Sequence, residues 1–144
     1  MNNYIDYYNY MDNLNQTNFN NVSNDNKDYM TNPYLSFIRG NLFNNLYTPY
    51  KNYKPTELNP NNEKDYQMLM IQVYGFAAHE LNLYLDVNPG DQNAIKLRNE
   101  YITLYKQALM QYENKYGALN TQSNTLDSTP WAWDTQNWPW EGNR

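Results

Sequence analysis

The chain has 144 residues, a formal net charge of −5 and no cysteine. Without cysteine there are no disulfides, no thiol catalysis and no cysteine metal sites. No Lys or Arg cluster stands out, which excludes electrostatic capture of nucleic acid or an anionic membrane.

The length allows one domain, of which only part is able to build a core. Hydrophobic residues make up 40% of the chain, but sixteen of its residues are tyrosine. Tyrosine is at home at interfaces as well as inside. No stretch approaches the roughly 18 apolar residues of a membrane span. Residues 1–10 carry neither a basic region nor an apolar run, so no secretory signal is expected. The chain reads as soluble, or as held in an assembly by contacts rather than lipid.

Residues 1–32 are dominated by Asn, Tyr and Asp, and no period organises the aromatic positions. This head is expected to be disordered. Alternating polar and aromatic residues are also typical of self-associating tails, and codon bias in an AT-rich genome produces the same composition.

Residues 33–60 are denser in apolar side chains but punctuated by Gly40, Pro49, Pro55 and Pro60. The expectation is an extended strip with at most a short helical turn near Leu42 to Tyr47. Such a strip can lie against the rest of the chain or against another protein.

Residues 61–118 carry the strongest signal. Tyr66, Leu69, Met70, Val73, Ala77, Leu81 and Tyr84 fall three or four apart and share one face of a helix. Ala94, Leu97, Tyr101, Leu104, Ala108 and Tyr112 repeat the pattern. Between the two arms, Asn88-Pro89-Gly90 breaks the helix and Asp91 is positioned to cap the next one. So short a link makes the helices antiparallel neighbours. The first helix opens after Pro60-Asn61-Asn62, with Glu63 and Asp65 in its first turn where the dipole favours acid. The second stops at Tyr116-Gly117. The fold class is mainly α: an antiparallel two-helix hairpin between an extended or disordered N-terminal region and a Trp-rich tail. A hairpin over residues 63–117 buries too little apolar surface to be comfortable alone. Its third layer must come from elsewhere in the chain, from a second copy or from a partner.

Residues 119–144 form a polar linker and then a tail holding all four tryptophans, Trp131, Trp133, Trp138 and Trp140. In an extended chain Trp131 and Trp133 share one side, as do Trp138 and Trp140. These indoles either fold back to cap the hairpin or serve as anchors of a docking peptide.

Little in the chain points to catalysis. His79 is the single histidine, and Leu83 stands where a His-Glu-x-x-His motif needs its second one. No metal ligand set, cofactor site, Walker loop or nucleophile elbow is present, so no enzymatic activity is expected. Glu80 lies on the stripe of Val73 and Tyr84 and is expected to be partly buried and paired, with the second helix as the candidate partner. The junction from Tyr84 to Asp91 looks like that of a tetratricopeptide repeat, but no second copy follows at that period.

Three separated motifs resemble the CotJB spore-coat family. They are Phe76-Ala77-Ala78-His79-Glu80-Leu81-Asn82-Leu83-Tyr84-Leu85-Asp86 with Asn88-Pro89-Gly90-Asp91, then Glu113-Asn114-Lys115-Tyr116-Gly117, then Asn137-Trp138-Pro139-Trp140-Glu141. The resemblance covers roughly residues 65–141; His79 departs from the small or apolar residue usual there. Upstream, Arg39-Gly40-Asn41-Leu42-Phe43 with Leu46-Tyr47-Thr48-Pro49-Tyr50 is similar to a short motif of CotJA, the companion coat protein, with Asn41 in place of Thr. The resemblance implies a structural part of the endospore coat, made in the mother-cell cytoplasm and placed in the spore coat. It implies as partners CotJA-like proteins and the manganese-catalase-like CotJC, and the undersized hairpin adds self-association as an expectation. It leaves open a non-catalytic accessory role for a CotJC-type enzyme, and a general small helical adaptor. The residues expected to dock are Leu81, Tyr84, Trp131, Trp133, Trp138 and Trp140.

Overall fold

The computed structural model describes residues 30–134. Most of the Asn/Tyr-rich head, and the tail from residue 135 with Trp138 and Trp140, lie outside the described residues. Helix α1 spans Pro33–Arg39, α2 spans Glu63–Val87 and α3 spans Gln92–Tyr116, followed by one 3₁₀ turn at Asn124–Leu126. Among the described residues there is no strand, only an isolated antiparallel bridge between Met30 and Phe43.

Each helix end has a chemical cause. The Asn62 side chain accepts the Asp65 N–H at 2.9 Å and donates to the Asp65 carboxylate at 3.0 Å, so the cap and the first turn hold each other. Asp91 Oδ1 accepts the N–H groups of Asn93 and Ala94, both at 3.0 Å. Those donors would otherwise be orphaned at the start of α3. Asp91→Ala is expected to lower stability by about 1 kcal/mol through the lost cap. Loss of the Tyr84 bond described below adds to this, and urea denaturation followed by circular dichroism measures the sum.

The hairpin packs as its periodicity predicts. Tyr66, Leu69, Val73, Ala77 and Leu81 of α2 are buried, as are Ala94, Leu97, Tyr101 and Tyr112 of α3. The Tyr74 and Tyr101 rings stack across the two helices, 6.3 Å between centroids. A Cβ on Gly75 would come within 3.3 Å of the Tyr105 ring, so that glycine lets α3 lie close. At the open end Lys115 pairs with Glu63 at 2.6 Å. Both side chains are about half exposed there, so the pair contributes little.

Helix α2 also buries Gln67, Ile71, Tyr74 and Ala78, more than one face can hold. For Tyr74 and Ala78 the core cluster they join includes residues from upstream. Met30, Leu42 and Phe43 belong to the same core cluster as Leu69, Val73, Ala77 and Leu81, and Phe37 of α1 meets Phe76 edge-on at 6.0 Å. The layer that the hairpin lacks is thus supplied by the chain itself.

Here the structure corrects the expected layout of residues 33–60. A helix, α1, stands where an extended start was expected, while the region of Leu42 to Tyr47 makes only a turn, with the Tyr47 N–H on the Asn44 carbonyl at 3.4 Å. Asn32 accepts the Leu35 N–H at 2.7 Å and Pro33 occupies the first helical position. There its missing N–H and fixed φ favour a helix start. Gly40, at φ 77°, ends the helix in the left-handed conformation, and the N–H groups of Gly40 and Asn41 both return to the Ser36 carbonyl. Beyond it the Asn41 side chain accepts the Phe43 N–H at 2.7 Å. This local turn competes with helix and leaves Leu42 and Phe43 free to enter the core side by side.

Candidate functional site

The Glu80–Asp86 motif sits where α2 meets the upstream segment. Glu80 Oε2 accepts the Leu42 N–H at 3.2 Å, so its partner is the segment beside α1 and not the second helix. Leu81 is 0% exposed. It is covered by the chain itself and presents no surface to a partner, because the upstream segment closes the face it points from. Asn82 accepts from Arg98 Nε of α3 at 2.8 Å. The half-buried Tyr84 ring stacks on Phe43 at 4.9 Å, and its hydroxyl donates to Asp91 Oδ2 at 3.1 Å. Burial first, then that bond and the Asp91 charge, hold the Tyr84 hydroxyl above its ordinary pKa. One Asp91 carboxylate therefore caps α3 with one oxygen and fixes the end of α2 with the other. His79 is exposed.

The second motif has an equally structural reading. Glu113 is buried, and its two oxygens accept the Leu119 N–H at 2.9 Å and the Ser123 hydroxyl at 2.8 Å. Those bonds turn the chain back after Gly117 and seat Ala118 and Leu126 in buried positions. Glu80, Asn82, Tyr84, Asp91 and Glu113 of these motifs are thus engaged in holding backbone and neighbouring side chains. Among the described residues no group of three or more His, Asp or Glu could hold a metal ion. No helix among them is long and apolar enough to cross a membrane.

What remains open is apolar. Trp131 is 54% exposed and Trp133 half-buried, in a turn closed by the Asp134 N–H on the Trp131 carbonyl at 3.2 Å. Leu83 and Val87, one helical turn apart, are 52% and 78% exposed at the hairpin tip. The sequence reading passed over this pair because it lies off the periodic stripe. The signal was present as two large aliphatic residues at i, i+4 outside that stripe. An exposed indole, like an exposed aliphatic pair, suits a contact surface.

A family model described as CotJB protein matches residues 65–141. That is more than half of the chain, and the chain belongs to the CotJB family, a spore coat-associated family. No curated protein matches the chain, and no solved structure does.

Proposed function

We propose that this CotJB-family chain is a structural component of the endospore coat that works by protein–protein docking, with no catalysis of its own. The observation that carries this reading is the exposure of Trp131 on a chain whose motif carboxylates Glu80, Asp91 and Glu113 are committed internally. A large amphipathic ring with one polar N–H loses little conformational freedom on docking, which is why tryptophan is favoured as an interface anchor. Trp131 and Trp133, continued by Trp138 and Trp140, form the anchor strip, and Tyr84 with Leu81 fixes the body that presents it. The partners we assign are coat proteins of the CotJA-like and manganese-catalase-like CotJC kinds, and further copies of this chain.

The paired change Trp131→Ala with Trp133→Ala tests the assignment. Binding to a purified CotJC-type partner, followed by surface plasmon resonance, is expected to weaken at least about tenfold, as for interface hot spots. Helical circular dichroism should stay unchanged. Full-strength binding by the folded double variant would overturn the role of the tail.

A further inference from the structure

The family match begins at residue 65, yet the face of α2 formed by Val73, Phe76, Ala77, Glu80, Leu81 and Tyr84 is closed by residues 30–43, which precede it. The closing segment is built like a ligand. It holds its own shape through the Met30–Phe43 bridge, the Thr31 N–H on the Leu42 carbonyl at 2.9 Å and the Asn44 side chain on the Met30 carbonyl at 3.2 Å. It inserts two adjacent anchors, Leu42 at 0% exposure and Phe43 at 4%. Its backbone is read by a single carboxylate, Glu80. This is a groove for a peptide, occupied from within.

The connection between ligand and groove decides who occupies it. Residues 44–62 contain neither helix nor strand and are mostly exposed; the Tyr34 hydroxyl tacks them down by accepting the Leu58 N–H at 2.8 Å. Phe43 stacks on Tyr84, twenty-one residues along α2 from Glu63, so the connection must span about 31 Å along the helix axis. Fully extended it would reach about 60 Å. We propose that residues 30–43 are exchangeable: the same segment of a second copy of this chain occupies the groove, linking copies without any new contact. The contacts are identical in both arrangements, so the balance is set by concentration. A flexible tether of this length supplies its own segment at an effective concentration on the order of millimolar. Packed at that density, copies exchange; in dilute solution each chain closes on itself. The proposal stands apart from the tail's docking.

Deleting residues 48–59 leaves seven residues, with a reach of about 25 Å, which is too short for self-closure. The deletion variant is expected to be a helical dimer or larger, at least doubled in mass by light scattering, and Leu42→Asp in the same background should abolish the association. A folded monomer, or an oligomer indifferent to Leu42→Asp, would overturn the proposal. Should the deletion variant not fold, the wild-type chain decides. Two fluorescently distinct preparations, mixed in denaturant and refolded at about 1 mM, should yield mixed dimers that revert on dilution. Monomers alone would again overturn it. In the wild-type experiment Trp131→Ala with Trp133→Ala is expected to leave exchange unchanged, separating this result from failure of the tail as an anchor.

Discussion

Leu42→Ala is expected to lower the stability of the folded chain by about 2–5 kcal/mol, as much as Leu81→Ala in the middle of the hairpin. Both side chains are 0% exposed and belong to one core cluster. Truncation at either site removes the transfer free energy of the lost methyl and methylene groups and leaves a void. For a single domain whose whole stability is about 5–15 kcal/mol, either loss is a large fraction. The comparison is informative because Leu42 lies outside the part of the chain that matches the family, while Leu81 lies within it. If residues 30–43 were mere decoration, Leu42→Ala would change stability by less than about 0.5 kcal/mol, as surface substitutions do. Urea denaturation of the two variants beside the wild type distinguishes the cases.

The second large effect is alkaline unfolding. Tyr101, Tyr112 and Tyr84 all hold their protons more tightly than tyrosine in water. For Tyr101 the cause is burial, aided by Tyr74 and Glu100. For Tyr112 it is burial, then Tyr116 and Asp65; for Tyr84 it is burial, then the bond to Asp91. Each folded pKa lies above the unfolded value of about 10, so below that pH both states keep the proton and stability is at its full level. As pH rises past about 10 the unfolded chain releases protons that the native chain retains, and stability falls until the folded pKa is reached. Thermal melts should therefore decline steeply from about pH 10 upward. Tyr101→Phe should soften the decline, since it removes the most deeply buried of the three groups. At neutral pH the same variant should be no less stable, because the Tyr101 hydroxyl is buried without a hydrogen-bond partner. A melt of Tyr101→Phe that falls as steeply as wild type would show that other groups drive the transition.

The sequence revealed the hairpin and not what lies against it. Asp91 and Gly117 could be placed because caps act within three or four residues, and the burial of Leu69, Val73, Ala77 and Leu81 followed from a period of 3.6. Periodicity says that a side chain faces inward but not which neighbour it faces. Glu80 was rightly expected to be partly buried and paired, yet its partner is the Leu42 N–H, at a separation of 38 residues, and not α3. Helix α1 was missed for a related reason. Pro33 and Gly40 look like breaks in an apolar run, but after Asn32 they are the start and stop of one short helix. The indole content of the tail was legible through composition alone, and Trp131 is 54% exposed.

The wide separation of the Glu80–Leu42 bond also has a meaning in time. Within the hairpin, contacts close across a four-residue turn, so α2 and α3 can find each other among the earliest and fastest events of folding. The upstream segment must close a loop of more than thirty residues before Leu42 reaches Glu80, and that closure is an entropic delay which no local propensity shortens. A nascent chain thus emerges with the anchor segment synthesised before the helix that receives it. Between those moments Leu42 and Phe43 are in water, and the hairpin forms before they are covered.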